Sequence, residues 1–384
     1  MTEFEKLLEN QELPVVGWDC DPFIESKIQS FYETFSSIFS RWETKGFSSV
    51  LDVHIIDKPG FNAYVASFDD GAGIAVFKDV FANLLNVSRA VVSHGLLLPD
   101  ERTEGVANDA IVIGGSLREL VEGSRKAMVG PLTDPVREEI SDGVASAAIY
   151  FILLHELGHI DNGHTGWMGA QGLLPLIAER TSKPFPFTPS FERETLEWDA
   201  DCYAVQHLLQ VFLRPSRSTV GGRAVWVLAG DGGCFFDRLA VKKLLLAGMV
   251  TFSFLSLEED GDVFSDLPRS HPHISLRFLN FLNTIFHVIQ FRTGQSVEPY
   301  AEELYKALDG YKESIRAAFP IRSRPEEADI APDAMREVLS KRMRIWEQNW
   351  AEMHDVLMQF CRIDAIAPKV PGVHPGFPDS EVLG

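Results

Sequence analysis

The sequence predicts an α+β fold, mainly helical, with one small β-sheet beside a long buried helix, and three observations lead there. Apolar residues recur at three- and four-residue spacing through much of the chain, the pattern of helices with one face in a core. Three short β-branched or aromatic runs fall within residues 51–77. The run "GVASAAIYFILLHELGHI", residues 143–160, is apolar on nearly every face, as a central buried helix would be. A chain of 384 residues that is 45% apolar and holds 27 phenylalanines can bury a large core.

Taken in order, residues 22–45 place Ile24, Ile28, Phe31, Phe35 and Ile38 on one face of an amphipathic helix. "LDVHIID", "NAYVASF" and "GIAVF" read as three strands, because Pro-Gly and Asp-Asp-Gly turns separate them. A helix should follow from about Lys78. Residues 90–142 mix apolar, charged and Gly/Pro-containing pieces and carry no single pattern; they read as an insertion, either a lid over a site or a helical buttress. Asp134-Pro135 supplies an N-cap and a first-turn proline for the central helix, and Asn162-Gly163 a natural stop. After a Pro-rich loop, "FERETLEWDADCYAVQHLLQVFL" is helical in pattern, as are 238–257, 274–292, 300–317 and 333–363. The organisation expected is an N-terminal helical segment (1–50), a core (51–295), a C-terminal helical region (296–366) and a loosely held tail (367–384).

The formal net charge of −20, without a long basic run, argues against a nucleic-acid partner. Four cysteines, Cys20, Cys202, Cys234 and Cys361, show no paired spacing, so neither a disulfide framework nor a cysteine metal knuckle is expected. The acidic start "MTEFEKLLENQEL" lacks the pattern of a secretion signal, and the apolar run from Leu244 to Leu257 is shorter than the roughly 20 residues that cross a bilayer. A cytoplasmic protein with no membrane span is expected; nothing in the sequence sets its oligomeric state.

Chemistry concentrates in "HELGHIDNGH", residues 155–164. On a helix, residues four apart differ by only about 40° around the axis, so His155 and His159 project from one face and can grip one ion. Glu156 lies about 100° further round, where it can act as general base on a water at the ion without ligating it. A catalytic zinc needs a third protein ligand and an open position. His164 is one candidate: a continued helix would turn it about 180° from His155, although Gly163 can bend the chain back. Otherwise it reads as a hydrogen-bond partner outside the ligand set. Glu197, in "LEWDADCYA", is the other, with Asp201 one turn on to accept from the second nitrogen of a ligating histidine. The plain alternative is an acidic, solvated helix face, where Glu194 and Asp199 are expected to sit.

"HELGH" followed by "EWDAD" resembles the gluzincin metallopeptidases of the HtpX, CAAX prenyl protease and Oma-like group. Two further pieces match in order: Asn62, Ala63 and Tyr64 resemble the group's strand motif, and "SHPHISLRF", with His271 and Arg277, its His-Pro motif and following arginine. The resemblance spans residues 53–278. It implies a zincin-type metallopeptidase core with one zinc per chain, held by His155, His159 and Glu197 and supported by Asp201. It also implies His271 at the substrate oxyanion and Arg277 orienting nearby groups. A protein or peptide substrate is expected to add itself to a free sheet edge along the strand from Asn62 to Phe68, which holds Asn62, Ala63 and Tyr64. Only 37 residues separate His159 from Glu197, leaving no room for the membrane hairpin of many relatives, and residues 300–384 have no counterpart in the group. Without the resemblance, His271-Pro272 is a loop turn and Arg277 a surface residue.

The function expected is zinc-dependent endopeptidase activity on cytoplasmic proteins, with water activated by Glu156. Two alternatives stay open: a protease with one host target, like the phage-exclusion protease Lit, and a regulatory protein that binds zinc and peptide without turnover.

Overall fold

The computed structural model describes residues 2–18, 21–68, 71–95, 103–104, 110–113, 117–121, 129–171, 177–178, 190–212, 225–227, 235–255, 271–293, 310–311, 313–319 and 332–362. Helix α1 (Glu3–Asn10) opens with a capping box between Thr2 and Glu5, and strand β1 (Val15–Val16) follows. Asp21 caps α2 (Pro22–Trp42), which buries Ile24, Ile28, Phe31, Phe35 and Ile38, the face read from its spacing, and ends in a 3-10 turn at Glu43–Lys45. Strands β2 (Leu51–Ile56), β3 (Ala63–Phe68) and β4 (Gly71–Phe77) lie where the alternating runs place them. Their spatial order is less direct. β4 forms an antiparallel hairpin with β3 and pairs in parallel with β2, so it is the middle strand of the order β1-β2-β4-β3-β5 and is buried along its whole length.

From β4 the chain passes straight into α3 (Lys78–Ser93), then α4 (Leu117–Val121) and the long α5 (Pro135–Asp161). Asp134 accepts from the backbone N–H of Val136 and Arg137, making it the expected N-cap of α5. Helices α3, α7 and α8 and strand β3 all pack against α5, which is why its sequence is apolar on every side. By length and composition α5 could also cross a membrane, but 89% of its most apolar window is buried inside the protein, as for a core helix.

A short α6 (His164–Ala170) and strand β5 (Ile177–Ala178) lead to α7 (Phe191–Phe212). Then come a two-stranded ribbon, β6 (Val225–Val227) and β7 (Phe235–Asp237), and helices α8 (Arg238–Leu255), α9 (Ile274–Thr293) and α10 (Pro332–Leu357). Of the helix expected over 300–317, residues 310–311 and 313–318 are described and helical. The tail 367–384, most of the Pro-rich loop before α7 and much of 96–128 lie outside the described residues.

The described pieces of the insertion are tied into the core. Ile113, Leu117 and Leu120 are buried, the Thr103 hydroxyl donates to Asp134, and the Ile113 N–H donates to Ala318. At the other end of the chain α10 clasps α7. Trp346 stacks on Trp198 with ring centroids 5.9 Å apart and donates its indole N–H to Glu194, while Trp350 and Leu357 pack with Leu196. Glu194 also pairs with Arg342 and is 1% exposed, so the solvated face expected for it is instead an interface between two helices.

Candidate metal centre

The centre forms between α5 and α7, and a glycine lets them close. A Cβ at Gly158, inside "HELGH", would come within 3.1 Å of the Tyr203 ring on α7, so a larger residue there would push the helices apart. With this approach, His155 Nε2 stands 3.1 Å from His159 Nε2, and Glu197 Oε2 lies 3.3 Å from the first and 3.8 Å from the second. All three residues are at least 98% buried. Donor atoms about 2.1 Å from a tetrahedral ion are separated by about 3.4 Å, so these spacings suit one zinc-sized cation. Among the described residues this is the group of ionisable side chains that could hold a metal ion, its donor atoms all within 4.8 Å of one another.

The outward nitrogens of both imidazoles are engaged. His155 Nδ1 lies 2.9 Å from Asp201 Oδ1, and Arg277 grips the same carboxylate with two bonds of 2.8 Å. Asp201 is therefore the partner expected behind a ligating histidine. Arg277, 3% exposed, is not the surface residue of the plain reading but the clamp on that partner. Burial alone would raise the Asp201 carboxyl; the Arg277 guanidinium and its hydrogen bonds, with those of His155, outweigh it and hold the group ionised below its ordinary range.

His159 turns Nδ1 to His164 Nδ1 at 2.9 Å, and His164 Nε2 lies 3.1 Å from Asp199 Oδ2. Asn162 donates its side-chain N–H to the same oxygen. Asp199, placed by the sequence on a solvated face, is 5% exposed and belongs to the site. His164 lies outside the group of His155, His159 and Glu197, on the far side of His159. Burial first, then the neighbouring His155 and His164 rings, Arg193 and His271, hold the His159 imidazole well below its ordinary range, so it stands neutral with a lone pair to give.

Glu156, adjacent to His155 on α5, is fully buried. His271 brings Nε2 to 3.5 Å from Glu197 Oε1, the carboxylate oxygen turned from the imidazole pair, and remains partly accessible. Arg193, on the turn of α7 before Glu197, escaped the sequence reading. Burial lowers its affinity for a proton while Glu197 raises it, and its charge is felt at His159. Its signal was present as a position four residues before Glu197 on the same helix face.

The strand motif is buried at the sheet. The Asn62 side chain accepts from the Ala63 N–H and donates to the Tyr64 hydroxyl, and β3 lies against α5 and α6. The outer side of β3 is not the free edge expected there: β5 of the chain itself pairs with Tyr64 and Val65.

Residues 116–288 match the family model described as Peptidase U49. The match takes in α5, α7 and most of α9, hence every group of the cluster and both of its supports. No curated protein and no solved structure matches the chain. The likeness to the Peptidase U49 model supports a peptidase, without singling out the HtpX-like group that the motifs resemble.

Proposed function

We propose that the protein is a zinc-dependent endopeptidase acting on cytoplasmic protein targets, with one zinc held by His155, His159 and Glu197. The observation that carries this reading is the convergence of two imidazole nitrogens and one carboxylate oxygen at tetrahedral spacing, with a glutamate between the two histidines in sequence. Two neutral imidazoles and one carboxylate are the donor set of a catalytic zinc, which when bound acidifies water and polarises the scissile carbonyl.

The chain's own groups perform the proton work. Glu156 takes a proton from the attacking water and delivers it to the leaving amine, converting a poor nucleophile and a poor leaving group into good ones. His271, at the rim of the Glu197 carboxylate, donates to the oxygen that gains negative charge as the carbonyl carbon becomes tetrahedral. Arg277 and Asp201 keep His155 in one orientation throughout.

The test compares wild type with Glu156→Gln. Cell extract incubated with each is analysed by mass spectrometry for new peptide termini. New termini with wild type and a loss of at least about 100-fold in Glu156→Gln are expected, the size of a general acid–base contribution. Equal cleavage by both would remove Glu156 from the chemistry, and zinc binding without new termini from wild type would favour a regulatory zinc and peptide binder.

A further inference from the structure

Gly163 adopts the left-handed conformation (φ +79°) and ends α5 so abruptly that α6 begins at the next residue. A Cβ at Gly163 would lie 2.7 Å from the Leu357 carbonyl oxygen, so no other residue suits the turn. The turn swings His164 back under His159 and buries it completely. Its two nitrogens then face two different partners, Nδ1 towards His159 Nδ1 and Nε2 towards Asp199 Oδ2.

The proton positions follow from the contacts. If His159 offers the Nε2 lone pair to an ion, its proton is on Nδ1 and that nitrogen is a donor. His164 Nδ1, 2.9 Å away, must then be the acceptor and carry no proton. The neutral His164 ring therefore holds its proton on Nε2, the nitrogen that stands 3.1 Å from Asp199 Oδ2, an oxygen that also accepts from the Asn162 amide.

We infer that His164 is a positioning residue for His159: a neutral imidazole that accepts the His159 N–H at Nδ1 while its other nitrogen stands against the Asp199 carboxylate, fixing the ligand's ring and tautomer. The inference rests on the metal-site reading and extends it, because it gives the second histidine ligand a support built from an imidazole where the first has a carboxylate. Losing such a partner costs about 10- to 100-fold in metal affinity.

The experiment uses the full chain and cobalt or zinc alone, with affinity measured by competition against a chromophoric chelator and the fold checked by circular dichroism. His164→Leu keeps bulk but offers no acceptor, and should weaken binding about 10- to 100-fold. His164→Asn places a carbonyl oxygen near the Nδ1 position and should recover most of that loss. Wild-type affinity in His164→Leu, or an equal loss in both variants, would overturn the inference. Should His164→Leu fail to fold, nitrogen NMR of the zinc-loaded wild type decides: His164 must appear as the Nε2–H tautomer, and an Nδ1–H tautomer or a ring on the metal contradicts it. A wild-type chain that binds no metal would instead overturn the metal-site reading itself, a result distinct from any of these.

Discussion

His155 and His159 leave the same helix one turn apart, yet what stands behind them differs in kind. Behind His155 is a charged arm, Asp201 gripped by Arg277 from α9, which couples three helices through a buried ion pair. Behind His159 is an uncharged first partner, His164, and only then a carboxylate, with Asn162, Gly163 and His164 drawn from consecutive residues. The charged arm is strong and long-range, and it is costly to break because either member alone would be an uncompensated buried charge. The imidazole arm is local, and removing its outer members strands no charge beside the ligand. Holding the two histidines by different means lets the cluster depend on the tertiary packing of α9 on one side and on a single turn on the other.

The comparison breaks most visibly at Arg277. Arg277→Gln should cost about 3–5 kcal/mol of folding stability by leaving the ionised Asp201 buried without its partner, as read by denaturant unfolding of the metal-free chain. A cost below about 1 kcal/mol, the range of an ordinary hydrogen bond, would mean that the ion pair is not the strut described. The two carboxylates sharpen the contrast. Asp201→Asn should lower zinc affinity by about 10- to 100-fold, whereas Asp199→Asn, one imidazole further from the ligand, should lower it by less than about 10-fold. The reverse order in a chelator competition would show that the His159 arm carries the greater weight.

The smallest expected effect lies outside both arms, at Asp161 near the end of α5. Burial pushes its carboxyl up to about 7 against the opposing hydrogen bonds of Tyr203 and Trp42. Because the folded value exceeds the ordinary 3.8, the native state retains a proton that the unfolded chain releases, so stability falls as pH rises between these values. The fall in Tm of the metal-free protein from pH 5 to pH 8 should therefore be shallower in Asp161→Asn than in wild type. Parallel pH profiles would remove Asp161 as the source.

The asymmetry between the arms also marks how far the sequence could be read. His155 and His159 are legible because helical periodicity places residues four apart on one face; Glu197 and Asp201 share that spacing but were singled out from a solvated acidic face only by the resemblance of "EWDAD", and the end of α5 is legible from Asn162-Gly163. The three strands follow from alternation and turns, but not the parallel pairing that puts β4 between β2 and β3, since register across a connection has no local signal. His164 was legible only as one of two readings, ligand or hydrogen-bond partner outside the ligand set, and the structure places it as the second; which group it faces could not be read, because its direction depends on one left-handed residue. Asp199 and Glu194 were misread as solvated because their partners, His164 and the α10 residues Arg342 and Trp346, come from elsewhere in the chain. Burial supplied by a distant helix leaves no mark on the local charge pattern.

The measurement that bears most directly on the central claim is zinc stoichiometry in chain purified without chelator, taken beside two variants. One zinc per chain is expected in wild type and in Glu156→Gln, and a marked loss in Glu197→Ala that retains its fold. No zinc in the wild-type chain, and none taken up on reconstitution, would contradict the account.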